Sequence, residues 1–273
     1  MKKYKYLCIV FSLLVSCHQE MEQEYYTCED LIPHDVYEFT LLPWDRPAKP
    51  GIWDYPVKPG TEEWKQFQGR DEKVRACQIS EEILSSLSTE DLTYICLRYP
   101  LLGDVFAFNL LSTGANRLYN EFNGIRELFK RKETSKELLK YYNCLLQNIH
   151  ILDAEAEGLR KGIFIISISE LEFLLGFYTQ KADALSKEDC KEMLQCLVYG
   201  HEKEIDYNDP DYKYQFYKNF YARVHVVIKI SPQSIEKIPN KDQNGVFHSS
   251  FNIGQLDKET CDIINKLSYQ LIK

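Results

Sequence analysis

Thr134-Ser-Lys-Glu-Leu-Leu-Lys-Tyr-Tyr-Asn-Cys-Leu-Leu-Gln-Asn-Ile-His-Ile-Leu152 is the stretch whose pattern decides the fold class. Leu138, Leu139, Tyr142, Leu145, Leu146, Ile149 and Leu152 recur mostly at steps of three and four, the period of one face of an α-helix. Lys136, Glu137, Lys140 and Asn143 fall largely on the other face, and Thr134 with Ser135 stands where an N-terminal cap belongs. The stripe is too short and too wide for a coiled-coil seam, so it predicts a helix facing a globular core.

Helix starts crowd both sides of this segment. Upstream, Thr61-Glu-Glu-Trp64 and Ser80-Glu-Glu-Ile83 each set a capping hydroxyl before two acids that complement the helix dipole. Ser88-Thr-Glu-Asp91 has the form of a capping box and precedes Leu92, Ile95, Cys96 and Tyr99 at helical spacing, with Pro100 as a stop. Downstream, Ser167-Ile-Ser-Glu170 reads as a helix start. Ser186-Lys-Glu-Asp189 caps another helix, on which Cys190, Met193, Leu194, Leu197, Val198 and His201 share a face. Leu87-Ser-Thr-Glu-Asp91 and Leu185-Ser-Lys-Glu-Asp189 echo one another across about a hundred residues, far beyond the roughly 40-residue period of helical repeats, and read as convergent capping.

The period changes after the turn-rich Asp206-Tyr-Asn-Asp-Pro-Asp211. Val224, Val226, Ile228 and Ile230 alternate with His225, Val227, Lys229 and Ser231, which predicts a strand with one apolar face. Ser231-Pro232 starts a helical turn, Asn240 to Gly245 forms a loop, and Val246-Phe-His-Ser-Ser-Phe251 reads as the returning strand. Asp257 caps a final helix with Cys261, Ile264, Leu267 and Leu271 inward, and a lone hairpin needs such a helix to lie against. The expected fold is mainly α: a multi-helix orthogonal bundle or short helical array, with a small C-terminal β-hairpin packed on a final helix.

Ahead of the helices, Leu42 to Gly60 holds five prolines in nineteen positions, so it should be extended and not helical. Trp44, Trp53 and Tyr55 ride on it, with Trp64 just beyond. These rings either form a platform for sugar rings or peptides or pack as a strap onto the helices, and burial of large rings is what would order such a segment.

The chain opens with Lys2, Lys3 and Lys5, then an apolar run from Tyr6 to Val15 broken only by Ser12. The run is too short to cross roughly 30 Å of hydrocarbon but suits the core of a removable secretory signal. Its ending, Leu14-Val-Ser-Cys17, resembles the lipobox of bacterial lipoproteins, which implies cleavage before Cys17 and lipidation of that cysteine. Removing residues 1–16 from 273 leaves 257 and takes away three lysines and no acid, so the formal charge moves from −8 to −11. An acidic surface repels nucleic acid and anionic headgroups, so attachment to a membrane would come from the lipid on Cys17. Glu20, Glu22 and Glu24, just behind the anchor, look like the export tract of some cell-surface lipoproteins or a solvated linker.

Four segments follow: a signal peptide at 1–16, a lipidated tether at 17–41, the strap and a first helical block at 42–161, and a second helical block with the hairpin and last helix at 162–273. Apart from Cys8 and Cys17 there are seven cysteines, an odd number, with no Cys-x-x-Cys among them. Most sit inside apolar helical patterns, where a thiol acts as a small hydrophobe; one disulfide is the alternative an exported location permits.

Tyr55-Pro-Val-Lys-Pro-Gly-Thr-Glu-Glu-Trp64, Cys77-Gln-Ile-Ser80, Leu87-Ser-Thr-Glu-Asp-Leu92, Tyr99-Pro-Leu-Leu-Gly-Asp104, Phe106-Ala-Phe-Asn109 and Phe122-Asn-Gly-Ile-Arg-Glu-Leu-Phe-Lys-Arg-Lys132 together resemble an uncharacterised family of helical domains in secreted bacterial proteins and lipoproteins. In some members a Tyr-Asn-Cys-His segment follows and implies a cysteine hydrolase or amidase. This chain has Tyr142-Asn-Cys-Leu145, with leucine in place of the histidine, so the resemblance brings no nucleophile with it.

Other constellations are weak by spacing. Cys190, Cys196 and His201 are six and five apart, too far for one metal ion. Glu155 with Glu157, and Glu202 with Glu204, point to different sides of a helix. His225 and His248 lie on the two expected strands, where either could approach Cys261. No phosphate-cradling glycine loop, Gly-x-Ser-x-Gly or His-Glu-x-x-His is present. The sequence therefore predicts no metal, no cofactor and no nucleic-acid partner. It leads to an outer-membrane lipoprotein of the cell envelope, facing the periplasm or the surface, that binds or scaffolds an envelope protein or a glycan. A hydrolase of cell-wall or glycan material is the alternative.

Overall fold

In the computed structural model, residues 36–150, 158–183, 185–206, 216–238 and 258–273 are described, and they are mainly helical. The organising element is α8, Gly158–Lys181, whose residues Ile163–Ile165 and Ser167–Thr179 are all buried. A helix that is apolar on nearly every side has to be surrounded by other elements. By length and composition α8 could cross a membrane, but 89% of its apolar window is covered by the rest of the chain, which makes it the core helix of this body.

Among the described residues seven helices precede it, α1 (Glu62–Gln66), α2 (Arg70–Ala76), α3 (Glu81–Ser86), α4 (Thr89–Leu97), α5 (Leu111–Glu121), α6 (Asn123–Leu128) and α7 (Thr134–Gln147), and three follow, α9 (Lys187–Asp206), α10 (Phe216–Ile230) and α11 (Lys258–Ile272). Short 3-10 turns lie at Val36–Thr40, Pro43–Asp45, Leu102–Ala107 and Pro232–Lys237. The most extensive packing is α8 on α10, then α9 on α10 and α7 on α8. Gly176 lets the backbones of α8 and α10 close up, since a Cβ there would stand 2.8 Å from the Ala222 Cα.

Several starts follow the capping chemistry of the sequence. The side chains of Thr61, Ser80 and Ser88 accept from the amides of Trp64, Ile83 and Asp91 at 3.3, 3.4 and 3.0 Å. Ser186 and Asp189 form a reciprocal capping box at 3.0 and 3.3 Å. Thr134 is different: it is fully buried, its hydroxyl donates back to Leu128 O at 2.5 Å, and α7 begins without a side-chain cap.

Two expectations are corrected, the C-terminal hairpin and the helix start at Ser167. Val224 to Ile230 is not a strand but the second half of the fifteen-residue α10. No strand is found among the described residues, so the C-terminal hairpin is not supported; its second strand, Val246–Phe251, and the cap Asp257 lie outside them. The misleading signal has a physical cause: α10 is enclosed by α8, α9 and α11, so Val224, Val226 and Val227 are all buried, and a helix walled in on most sides need not show a 3.6-residue stripe. Ser167-Ile-Ser-Glu170 does not start a helix; α8 has already run from Gly158, and Ser167 donates within it to Ile163 O at 3.0 Å. The same helix passes through residues 161 and 162, and one cluster of buried apolar side chains extends from Phe39 to Leu267 across both blocks. Ahead of the helices, Phe39 and Thr40 are buried and the Val36–Thr40 turn packs on α8.

Candidate functional site

The strongest concentration of unusual chemistry is where the proline-rich strap and α10 meet α8. Arg46 is 4% exposed, yet each part of its guanidinium is used: Nη1 donates to Leu97 O at 3.0 Å, Nη2 to Ser167 Oγ at 2.8 Å and Nε to Leu41 O at 3.3 Å. Its carbon lies 4.6 Å from the centre of the Phe39 ring. Burial lowers the Arg46 pKa to about 10, against the pull of Glu170 and Glu38. Arg98, 2% exposed, extends the knot by donating to Arg46 O at 2.7 Å and to Asp54 Oδ1 at 3.0 Å. Two buried arginines thus fasten a segment that has little regular backbone hydrogen bonding of its own.

Glu170 sits beside this knot and is 2% exposed. Its Oε1 lies 3.7 Å from where a Cβ on Gly103 would stand, in the Leu102–Ala107 turn. Burial raises its pKa to about 7, while Arg46 and Lys218 hold it from rising further. Lys218, at the start of α10, is itself buried and stands 4.1 Å over the Phe106 ring. A carboxyl that titrates near neutrality in partly apolar surroundings can hold or release a proton at physiological pH.

Two residues on, Glu172 serves another face of α8. Its Oε1 accepts from Tyr142 Oη and from Asn219 Nδ2, both at 2.8 Å, and Asn219 also donates to Leu197 O at 3.0 Å. Helices α7, α8, α9 and α10 therefore share one buried polar network. Gly200 makes it possible, because a Cβ at that position would stand 2.0 Å from Tyr142 Oη.

The residues singled out from sequence are not gathered here. Cys17, Glu155, Glu157 and His248 lie outside the described residues. Tyr55 and Trp64 are buried, and Trp44 and Trp53 are half-buried. Tyr55 donates to Ile95 O at 2.9 Å and leans on Tyr99 and Phe122, which stack on each other at 4.1 Å; Trp53 meets Tyr55 edge-on at 4.9 Å. Trp64 meets Phe67 at 5.8 Å, with Lys73 Nζ 5.4 Å from its ring. Both Tyr55 and Trp64 are thus packed into the body.

Four buried thiols are tuned away from nucleophilic chemistry. Cys77, Cys96, Cys144, Cys190 and Cys196 are buried, and none of these or the half-buried Cys261 is in a disulfide. Burial pushes the Cys77 thiol up to about 12 and those of Cys190 and Cys196 to about 11, and raises Cys96 strongly as well. Burial likewise lowers His201, aided by Arg223, and His225 to about 4. Among the described residues no group of three His, Cys, Asp or Glu could hold a metal ion. A depression lined by Arg70, Leu101, Asp104, Phe108 and Arg117 has room for about one water molecule. Comparison with known protein families, with curated proteins and with solved structures finds no match.

Sequence reasoning missed Arg46, Glu170, Glu172, Lys218 and Asn219. For the two glutamates a signal existed: acids inside the apolar run Ile163 to Phe177 must be buried with partners. Reading Ser167-Ile-Ser-Glu170 as a helix start placed Glu170 in a first turn instead of in the middle of α8.

Proposed function

We propose that this chain is a lipid-anchored protein of the cell envelope whose helical body binds or scaffolds another envelope component, a protein or a glycan. In this reading the body is a multi-helix orthogonal bundle centred on α8. It belongs with the uncharacterised helical domains of secreted bacterial proteins that the segment from Tyr55 to Lys132 resembles, and Cys17 carries the lipid at the outer membrane.

The observation that carries the non-catalytic side of this reading is the state of the thiols. A cysteine nucleophile needs a lowered pKa and an accessible sulfur, whereas Cys77, Cys190 and Cys196 are buried and raised to about 11 or 12. The Leu14-Val-Ser-Cys17 ending supports the anchor. Fractionation tests the placement: the wild-type chain should pellet with membranes and require detergent for release, and Cys17→Ala should move it to the soluble fraction. Equal partitioning of the two would reject the anchor.

A hydrolase of cell-wall or glycan material is favoured by one observation, the buried Glu170 carboxyl held near pH 7, the protonation range of a general acid. Turnover of purified peptidoglycan or glycan that Glu170→Gln abolishes would establish this second reading in place of the first.

A further inference from the structure

α8 is enclosed along most of its length, but its first turns keep one open side. Leu159 is 75% exposed and Ile166 43%, and Leu159 is the most exposed large apolar side chain among the described residues. Seven residues make almost two full turns, so the two stand on one side of the helix, roughly 10 Å apart along its axis. Gly162 lies between them at helical spacing, and among the described residues nothing stands within 4 Å of where its Cβ would be. Single exposed apolar residues are ordinary on a protein surface. An aligned pair with a glycine between them, on the helix that elsewhere forms the core, makes a stripe.

Where the N-terminal segment joins the body points to what covers this stripe. The Val36–Thr40 turn packs on α8, and Phe39 O accepts from Ser167 Oγ at 3.2 Å, one residue along from Ile166. Three residues of a 3-10 turn rise only about 6 Å, so the chain joins the body beside the same part of α8. Tyr37, on this turn, is itself 45% exposed. Val36 stands 19 positions after Cys17, a length that reaches at most roughly 65 Å. A bilayer that holds a lipid on Cys17 is therefore kept near this side of the body at a high local concentration.

We propose that the Leu159–Gly162–Ile166 stripe, together with Tyr37, docks the body onto the surface of the lipid bilayer. This docking presupposes the lipid on Cys17. Two aliphatic side chains enter the acyl region, while a tyrosine, with its apolar ring and polar tip, suits the level of the headgroups. Gly162 lets the helix lie close, because no side chain holds it off. A contact this small does not hold a chain to a membrane unaided; it sets the orientation of a body that the tether has already brought there. A second copy of the chain is the poorer occupant, since a stable interface covers roughly 800 Å² per partner and two aliphatic side chains supply only a fraction of that.

The test supplies the tether artificially, so that its outcome is separate from whether cells lipidate Cys17. The chain from residue 17 onward, with Cys17→Ala and six histidines ahead of it, is held on nickel-chelating lipid in phosphatidylcholine vesicles whose acyl chains carry a diazirine. After irradiation, peptide masses should place the lipid adducts at Tyr37 and within residues 159–166. Leu159→Asp combined with Ile166→Asp should lower the yield at Tyr37 and at residues 160–165 roughly tenfold, with the helical signal and thermal midpoint unchanged. Should that double variant fail to fold, Ile166→Gln alone should lower the same yields. Adducts centred on another part of the body, no adducts on vesicle-bound chain, or yields that the variants leave unchanged would overturn the docking. A concentration-dependent dimer that the double variant loses, with no adducts at the stripe, would overturn it in favour of a second copy. An unmodified Cys17 in native cells would remove the anchor and leave this measurement standing.

Discussion

Replacing Gly200 by alanine tests the polar network that ties α8 to its neighbours. In an ordinary exposed helix the change stabilises by about 1 kcal/mol, because alanine is the better helix former. Here the new Cβ would stand 2.0 Å from Tyr142 Oη, 2.8 Å from its Cζ and 3.1 Å from Leu146 Cδ1. Tyr142 is fully buried and has no room to retreat. Displacing its ring costs roughly 1–3 kcal/mol as overpacking. Withdrawing its hydroxyl from Glu172 adds roughly 1–3 kcal/mol for a buried acceptor that loses a donor. Set against the helix-propensity gain, the net expectation is a loss of roughly 1–5 kcal/mol, and a loss near 3 kcal/mol lowers the thermal midpoint by about 6–12 °C in a chain of this size. Urea unfolding followed by circular dichroism measures it, alongside Tyr142→Phe and the double variant. Tyr142→Phe already forfeits the hydrogen bond and removes the closest clashing atom. The double variant should therefore be less destabilised than the two single losses combined, with a coupling of roughly 1–2 kcal/mol. A Gly200→Ala protein as stable as the parent or more so, or strictly additive losses, would refute the placement of Tyr142 against α9.

Arg46→Ala should expose the strap: with Leu97 O and Ser167 Oγ deprived of their donor, stability should fall by roughly 2–4 kcal/mol, and limited proteolysis should cut within 42–60 well before the helices. Glu170 has a folded pKa of about 7, above the ordinary 4.5 of a glutamate. Its stabilisation is therefore complete below about pH 4.5 and is lost as pH rises through about 7. Glu170→Gln should flatten that part of the stability profile and be the more stable protein at pH 8 by roughly 2–3 kcal/mol; parallel profiles for the two would contradict it. Maleimide labelling read by peptide mass should modify Cys261 before Cys77, Cys96, Cys190 or Cys196, which should react only after unfolding; early labelling of any of these four would count against the buried thiols.

How far the fold was legible depended on whether an element showed its period to solvent. In α7 Lys136 and Gln147 reach solvent while Leu138, Leu139, Tyr142, Leu145 and Leu146 are buried, and its helix was plain from spacing alone. Ser80, Ser88 and Ser186 cap as read, because capping is local chemistry that needs no tertiary context. Helices α8 and α10 were the hard cases. Each is enclosed by others, so position along the chain ceases to distinguish inside from outside, and Val224 to Ile230 mimicked alternation. The candidate site was harder still. Arg46 meets Ser167 across 121 residues and Glu172 meets Asn219 across 47, and no local pattern encodes such pairings. The strap was legible in composition, but the residue that fastens it is an arginine flanked by Asp45 and Pro47 that nothing in the sequence marks out.

The proposal that this is a lipid-anchored envelope protein is tested most directly by the mass of its N-terminal peptide, isolated from native cells. The expected product begins at Cys17 and carries covalently bound acyl groups. An intact Met1, or a seventeenth residue with an unmodified thiol, would contradict the anchor and with it the envelope placement.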